Sequence, residues 1–211
     1  MVPTPNRPEW RISDVPVPYP EALAEMEARV ADIRAGRAGE LVWLLEHPPV
    51  YTAGTSARPQ DLLEPLRFPV HEAGRGGQYT YHGPGQVVGY PILDLREWKR
   101  DVLAYVRALE DVLIAALAEF GIEGVRSEGA TGVWVDGAKI AAIGVHISRW
   151  VTSHGFALNL DTDLEYFRYI VPCGLSRPVT SMRALGSQAT RAQVVDALID
   201  NFCRIFEKDP E

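Results

Sequence analysis

Cysteine is scarce in this chain: 211 residues contain two, Cys173 and Cys203. Two thiols cannot staple a chain of this length, so a disulfide scaffold is excluded. Positive charge is also short. Lys and Arg number 21 against 28 Asp and Glu, for a formal net charge of −7. A field of that sign repels phosphate, which argues against general binding to nucleic acid or to an anionic membrane. No apolar run reaches the roughly 18 residues that a membrane-crossing helix needs. The opening stretch, MVPTPNRPEWRISDVPVPYP, has no apolar core of a secretory signal. A cytoplasmic protein with both thiols reduced is therefore expected.

Several catalytic signatures are missing as well. There is no GxxxxGK[ST] loop, and the glycines at 83, 85 and 89 have Pro84 among them and the wrong spacing for GxGxxG. No HExxH, CxxC or related metal spacing occurs among five His and two Cys. No GxSxG elbow is present. Phosphate-loop, dinucleotide, metal and serine-hydrolase chemistry all lack their usual residues.

What is present is an ordinary globular composition, 46% hydrophobic and 23% charged, enough for a sizeable core. No repeat, low-complexity tract or linker interrupts it, so one domain over residues 1–211 is expected, with 1–19 as an extended lead-in that can pair at a sheet edge. A first helix is expected over 20–35, where Leu23, Met26, Val30 and Ile33 recur at helical spacing. Short apolar runs at 40–46, 50–54 and 87–95 read as strands. A long amphipathic helix is expected over 98–120, with Val102, Val106, Leu109, Leu113 and Leu117 on one stripe. Asp136-Gly137 between β-rich arms at 131–135 and 138–147 predicts a hairpin. FALNL (156–160) reads as a strand and 164–169 as a short helical piece. Thr190 with Gln193 forms a capping box before a last helix. Strands and helices do not alternate strictly, which points to an α+β fold with a mixed, mostly antiparallel sheet and packed helices.

The two cysteines differ in setting. Cys203 falls within the apolar stripe of the last helix, where Cys is expected to act as a small buried hydrophobe. Cys173 lies between Pro172 and Gly174, a rigid turn that can present a thiol to a cleft or simply hold it in a loop. A working thiolate needs a cation or base beside it; the candidates are Lys139, His82, His146 and His154. Lys139 stands among Ala138, Ile140, Ala141, Ala142 and Ile143. Such a lysine is a charge on the solvent face, an edge-strand gatekeeper, or one held in a cleft to stabilise a thiolate.

The densest chemistry is RGGQYTYHGPGQ (75–86), a loop composition carrying Arg75, Thr80, His82 and two Tyr. Together with Tyr90-Pro91, PPVYTAG (48–54), GAKIAAIG (137–144), SHGFALN (153–159), PCG (172–174) and VTS (179–181), it resembles the lipoyl(octanoyl) transferases, the lipoate-protein ligase B family. The likeness covers roughly residues 40 to 185. Gly74 departs from an acidic residue common there.

The resemblance implies transfer of an octanoyl group from acyl carrier protein to a lysine of a lipoyl domain, as in 2-oxoacid dehydrogenases and the glycine cleavage H protein. It implies that Cys173 carries the acyl thioester and that Lys139 lowers its pKa. The pocket would be lined by Arg75, Gly76, Gly77, Gln78, Tyr79, Thr80, Tyr81 and His82, by Ala142, Ile143 and Gly144, and by Gly155, Phe156 and Ala157. The fold would be that of the biotin and lipoate ligase catalytic domain. No cofactor, metal, nucleic acid or membrane is implied. The exchange is thermodynamically self-sufficient, since one thioester replaces another and an amide then replaces a thioester. An oxyanion site needs fixed N–H donors, and Gly76 and Gly77 are candidates. Arg75 either pins its loop or steers an acidic carrier protein. His82 and His154 are each either donors to substrate or structural groups.

Overall fold

The computed structural model describes residues 8–170 and 177–206. Seven strands form one sheet in the order β1 (Glu9–Ile12), β2 (Leu41–Leu45), β6 (Gln86–Ile92), β10 (Val151–Asn159), β9 (Ala138–Ser148), β8 (Ala130–Val135) and β7 (Val125–Ser127). Only β1 and β2 run parallel; the other neighbours are antiparallel. Three short strands, β4 (Val70–Glu72), β3 (Val50–Ala53) and β5 (Tyr79–His82), make a second sheet. This is the expected α+β architecture with mostly antiparallel pairing, and the lead-in does pair at the sheet edge through β1.

Side-chain alternation decides which helix covers which face. Val42, Leu44, Val87, Phe156 and Leu158 face the helices α2 (Val102–Ala118) and α3 (Arg191–Phe206). Leu41, Trp43, Leu45, Val88, Tyr90 and Ala157 point the other way, with Met26 and Ile33 of α1 (Tyr19–Arg34) among them. Each fully buried Leu, such as Leu109, Leu113 or Leu117 on α2, stabilises the fold by about 1.5–3 kcal/mol relative to exposure.

Local signals set the element ends. Pro20 opens α1 in its first turn. The Asp136-Gly137 turn joins β8 to β9 with φ of 47° and 78°, the left-handed pair that a tight hairpin requires. The capping box of α3 is present in both directions: Thr190 N donates to Gln193 Oε1 at 2.9 Å, and Gln193 N donates to Thr190 Oγ1 at 3.3 Å.

Three expectations need correction. Helix α2 starts at Val102 and not near 98, because Asp101 caps it by accepting from Ala104 N at 3.0 Å. Val102 then lies in the first turn, 45% exposed, outside the buried stripe. Strand β10 starts at Val151 rather than 156, since its polar residues find partners: Thr152 Oγ1 donates to the Pro91 carbonyl at 2.7 Å and accepts from Leu93 N at 2.9 Å. Cys203 is half-buried rather than buried, at the flank of the α3 stripe. Among the described residues no helix is long and apolar enough to cross a membrane.

Candidate active site

A cavity of about 620 Å³ opens between the small sheet and the α1-side face of the large one. Its walls bring together segments far apart in sequence. The 75–80 stretch and His82 form one wall; Lys139 and Ala142, Ile143 and Gly144 of β9 form another, with Gly155, Phe156 and Ala157 of β10 beside them. Of the residues expected to line a pocket, Tyr81 alone turns away. It is buried in an aromatic cluster with Tyr51, Phe68, Tyr166 and Phe167, on the opposite side of β5 from His82. Cys173 lies outside the described residues. The residues that flank its segment, Ile170 and Arg177, both line the cavity.

Lys139 reaches the cavity because β9 contains one extra residue. Along this strand Ala141, Ile143, Val145 and Ile147 pack against the core under α2 and α3, with Ile143 and Val145 also bordering the cavity, while Ala142 and Gly144 lie on its face without joining that core. Strict alternation would send Lys139 into the core. The register with β8 shifts instead: Val133 pairs with Ala141, but Trp134 pairs with Lys139. The bulge at Ile140 re-aims the lysine, as bulges beside functional sites do. Its Nζ lies 4.8 Å from the centre of the Trp134 ring, a cation–π distance.

The backbone of Lys139 is tied to the chain that follows the Cys173 segment. Lys139 N donates to the Pro178 carbonyl and Thr180 N donates to the Lys139 carbonyl, each at 2.9 Å. Residues 178–180 thus occupy the place beside β9 that β10 leaves after Leu158.

Arg75 is buried, and its guanidinium acts inside the fold. Nη1 donates to the Gly76 and Gln78 carbonyls at 3.0 and 3.1 Å; Nη2 donates to the Thr52 carbonyl and Oγ1 at 3.0 and 2.7 Å. Burial pulls its pKa down. It therefore pins its own loop, and the steering of a carrier protein from solvent is not a role open to it. The side chain passes so close to two backbones that they must be glycine. A Cβ on Gly54 would lie 2.6 Å from Nη1, and one on Gly144 would lie 2.9 Å from Cδ. The amide of Gly76 is already committed, donating to the Val145 carbonyl at 3.1 Å. That removes Gly76 as a donor to a bound oxyanion.

Three buried histidines meet behind this wall. His47 Nδ1 is 2.6 Å from the Val17 carbonyl and Nε2 is 2.7 Å from Tyr90 Oη. His82 Nδ1 is 2.7 Å from Gln86 Oε1. His154 Nε2 is 3.1 Å from Tyr19 Oη, while its Nδ1 has no partner among the described residues. Burial pushes His47 and His154 down to about 4 and His82 well below its ordinary value; the neighbouring Arg75 cation lowers His154 further. His154 also holds a left-handed φ of 58° inside a strand, unusual for a residue with a side chain. The fourth candidate, His146, is exposed on β9 and does not line the cavity.

Sequence reasoning did not single out Gln86, Asn159, Tyr90, Trp134 and Val88 as lining residues, yet they line the cavity. Gln86 stands inside RGGQYTYHGPGQ, Tyr90 in the Tyr90-Pro91 pair and Asn159 in SHGFALN, and those stretches were the available signal. Among the described residues no group of three or more His, Cys, Asp or Glu could hold a metal ion.

A partly open, mostly apolar cavity with a lysine in its wall thus lies on a mixed sheet flanked by three described helices, an architecture that the lipoate ligase catalytic domains share. Residues 18–203 match the lipoyl protein ligase A/B catalytic domain, and the chain belongs to that family. An octanoyltransferase of Rhodospirillum rubrum is 58% identical over 208 residues, 96% of each chain. One of Paramagnetospirillum magneticum is 58% identical over 207 residues, 95% of this chain and 98% of its own. Among solved structures, lipoate-protein ligase A bound with ATP superposes with a TM-score of 0.76 at 15% identity, covering 95% of this chain and 87% of its own. A putative lipoate protein ligase of T. acidophilum with bound lipoic acid gives 0.74 at 14% identity, covering 95% and 86%. At such identities the likeness to the ligases is one of fold.

Proposed function

We propose that the chain is an octanoyltransferase that moves an octanoyl group from acyl carrier protein to a lysine of a lipoyl domain through a thioester on Cys173. The observation that carries this reading is the position of Lys139. A bulge aims it into the cavity, and its backbone is bonded to residues 178 and 180, just past the Cys173 segment. In sequence Cys173 stands three residues after Ile170 and four before Arg177, and both of these line the cavity. The octanoyltransferases of similar length and sequence support the same assignment.

The chemistry balances with these two residues. The Lys139 ammonium favours the Cys173 thiolate, since an adjacent cation stabilises the charged form. The thiolate attacks the carrier thioester; the carbon–sulfur bond to Cys173 forms, the bond to the carrier sulfur breaks, and Lys139 gives the departing thiolate its proton. Neutral Lys139 then takes a proton from the acceptor lysine as its nitrogen attacks the acyl group. The Cys173 thiolate is restored. Gly77 is the glycine of the pair whose N–H is not bonded to Val145 or to another described acceptor, and it faces the same cavity.

Intact-protein mass spectrometry after incubation with octanoyl carrier protein tests this. The expected result is one octanoyl adduct, lost in Cys173→Ser and kept in Cys203→Ser, with transfer abolished by Lys139→Ala in a folded protein. An adduct on Cys203, or no adduct, overturns the mechanism. Activity with free octanoate and ATP that survives Cys173→Ala would make the chain a ligase.

A further inference from the structure

A chain of buried side chains crosses the cavity wall from Arg75 to the backbone that holds Lys139. Arg75 Nη2 donates to Thr52 Oγ1 at 2.7 Å, and Thr52 Oγ1 lies 3.4 Å from His82 Nε2, the longest link. His82 Nδ1 meets Gln86 Oε1 at 2.7 Å, Gln86 Nε2 meets Asn159 Oδ1 at 3.0 Å, and Asn159 Nδ2 meets the Thr180 carbonyl at 3.0 Å. Thr180 N then donates to the Lys139 carbonyl at 2.9 Å. Every side chain on this path is at least nine-tenths buried.

The direction of each bond is forced from the two ends. A guanidinium can only donate and a peptide carbonyl can only accept. The Thr180 carbonyl requires Asn159 to present its NH₂ there, so Asn159 Oδ1 accepts. Gln86 must then offer its NH₂ to Asn159, a choice reinforced by the Tyr81 carbonyl at 3.2 Å from the same nitrogen. Gln86 Oε1 is left as an acceptor, so His82 Nδ1 carries a hydrogen. Burial, and after it the neighbouring His47, keeps the ring neutral. Its Nε2 is therefore a bare lone pair, matched by the Thr52 hydroxyl hydrogen.

We propose that His82 is a positioning residue, held as its Nδ1–H tautomer, that transmits a one-way hydrogen-bond relay from Arg75 to residues 180 and 139 and donates nothing to the acyl group. Linked bonds of one sense polarise one another, and removing a buried member leaves its neighbour unsatisfied. The relay links the loop that walls the cavity to the ladder that sets Lys139.

The transfer arm of the test rests on the octanoyltransferase reading; the spectroscopic arm does not. An Asn side chain places an N–H where His82 has Nδ1, and a Gln places one near Nε2. The expected result is that both variants lower kcat with donor KM little changed: His82→Asn, which gives up only the 3.4 Å link to Thr52, by several-fold, and His82→Gln, which gives up the 2.7 Å link to Gln86, by about tenfold or more. The reverse order would make His82 a donor to substrate through Nε2, and equal losses would remove the relay; either overturns the proposal. In the native ¹⁵N-labelled chain, the His82 signal among five histidines should show protonated-type Nδ1 and unprotonated-type Nε2. An Nε2–H pattern refutes the relay even if the chain proves to transfer no acyl group.

Discussion

A single methyl group added at residue 144 tests whether Arg75 is as rigidly held as its contacts imply. In Gly144→Ala the new Cβ would stand 2.9 Å from Arg75 Cδ and 3.1 Å from the Gly76 carbonyl oxygen. Ordinary carbon–carbon contact lies near 3.5–4.0 Å, so the overlap with Cδ is at least about half an ångström. A lysine-like free chain would swing aside at little cost. Arg75 cannot, because four hydrogen bonds hold its head to Gly76, Gln78 and Thr52. Overpacking of this kind costs about 1–3 kcal/mol. A cost near 2 kcal/mol lowers the melting midpoint of a chain of this size by about 4–8 °C. Transfer should fall as well, since both displaced groups line the cavity. Gly76→Ala is the matched control: its nearest neighbour would be the Val145 oxygen at 3.9 Å, so the methyl fits. That variant should stay within about 0.5 kcal/mol of wild type. Thermal denaturation followed by circular dichroism, with acyl transfer measured on the same samples, gives both readings. The reasoning fails if Gly144→Ala melts with wild type, or if Gly76→Ala is the more damaged protein.

Acid should weaken the fold through its buried histidines. His47 and His154 are held at about 4 in the folded protein, against about 6.5 unfolded. Above pH 6.5 neither state is protonated and the contribution is flat; below it the unfolded chain binds protons that the folded one refuses, and stability falls until about pH 4. The loss at pH 5 is about 2 kcal/mol per histidine, and His154→Asn, which tolerates the left-handed backbone, should flatten the urea-denaturation difference between pH 7.5 and 5 by that amount. Thr190→Ala removes half of the α3 capping box and should lower stability by about 1 kcal/mol, read as a melting shift; no shift would deny the cap its role. Glu110→Ala strips an acceptor from Gly132 N at 3.1 Å and from Arg126 Nε at 2.8 Å. It should cost about 1–3 kcal/mol, and an Arg126→Ala background should shrink that loss.

The parts of this architecture written in local sequence were legible there. Alternating β-rich arms around Asp136-Gly137 read directly as β8 and β9, and Thr190 with Gln193 announced α3, because both signals act within four residues. The walls of the cavity were also nameable, through the RGG, AIG and GFA stretches. Three features were not legible, each for a physical reason. The polar start of β10 gives no strand signal, since Thr152 and His154 are accommodated by partners on β6 and α1 that sequence does not show. Tyr81 sits in the same motif as Thr80 and His82, and only the pleat of β5 sends it to the aromatic cluster. The commitment of the Gly76 amide to Val145 depends on β9, seventy residues on.

The extra residue in β9 uncouples the count of residues along the strand from the direction in which a side chain points. Ile140 does not touch the cavity, and its side chain belongs to the core under α2 and α3. Substituting it with another aliphatic of similar size leaves Lys139 facing the cavity at a modest packing cost. Deleting it leaves Ala141 toward the helices and makes Lys139 the next residue of the strand, where the two-residue rhythm still turns it to the cavity; what is lost is the Ile140 side chain from the core. Flattening the bulge with every residue kept would instead turn the ammonium into apolar surroundings, where its desolvation opposes folding. Deletion of Ile140 should therefore cost about 2–5 kcal/mol, as a large-to-small core change does, with Lys139 still facing the cavity; thermal melts and transfer assays of the deletion beside Ile140→Ala check this, and a folded deletion variant without transfer refutes it. The direction of Lys139 thus depends on where the ladder slips.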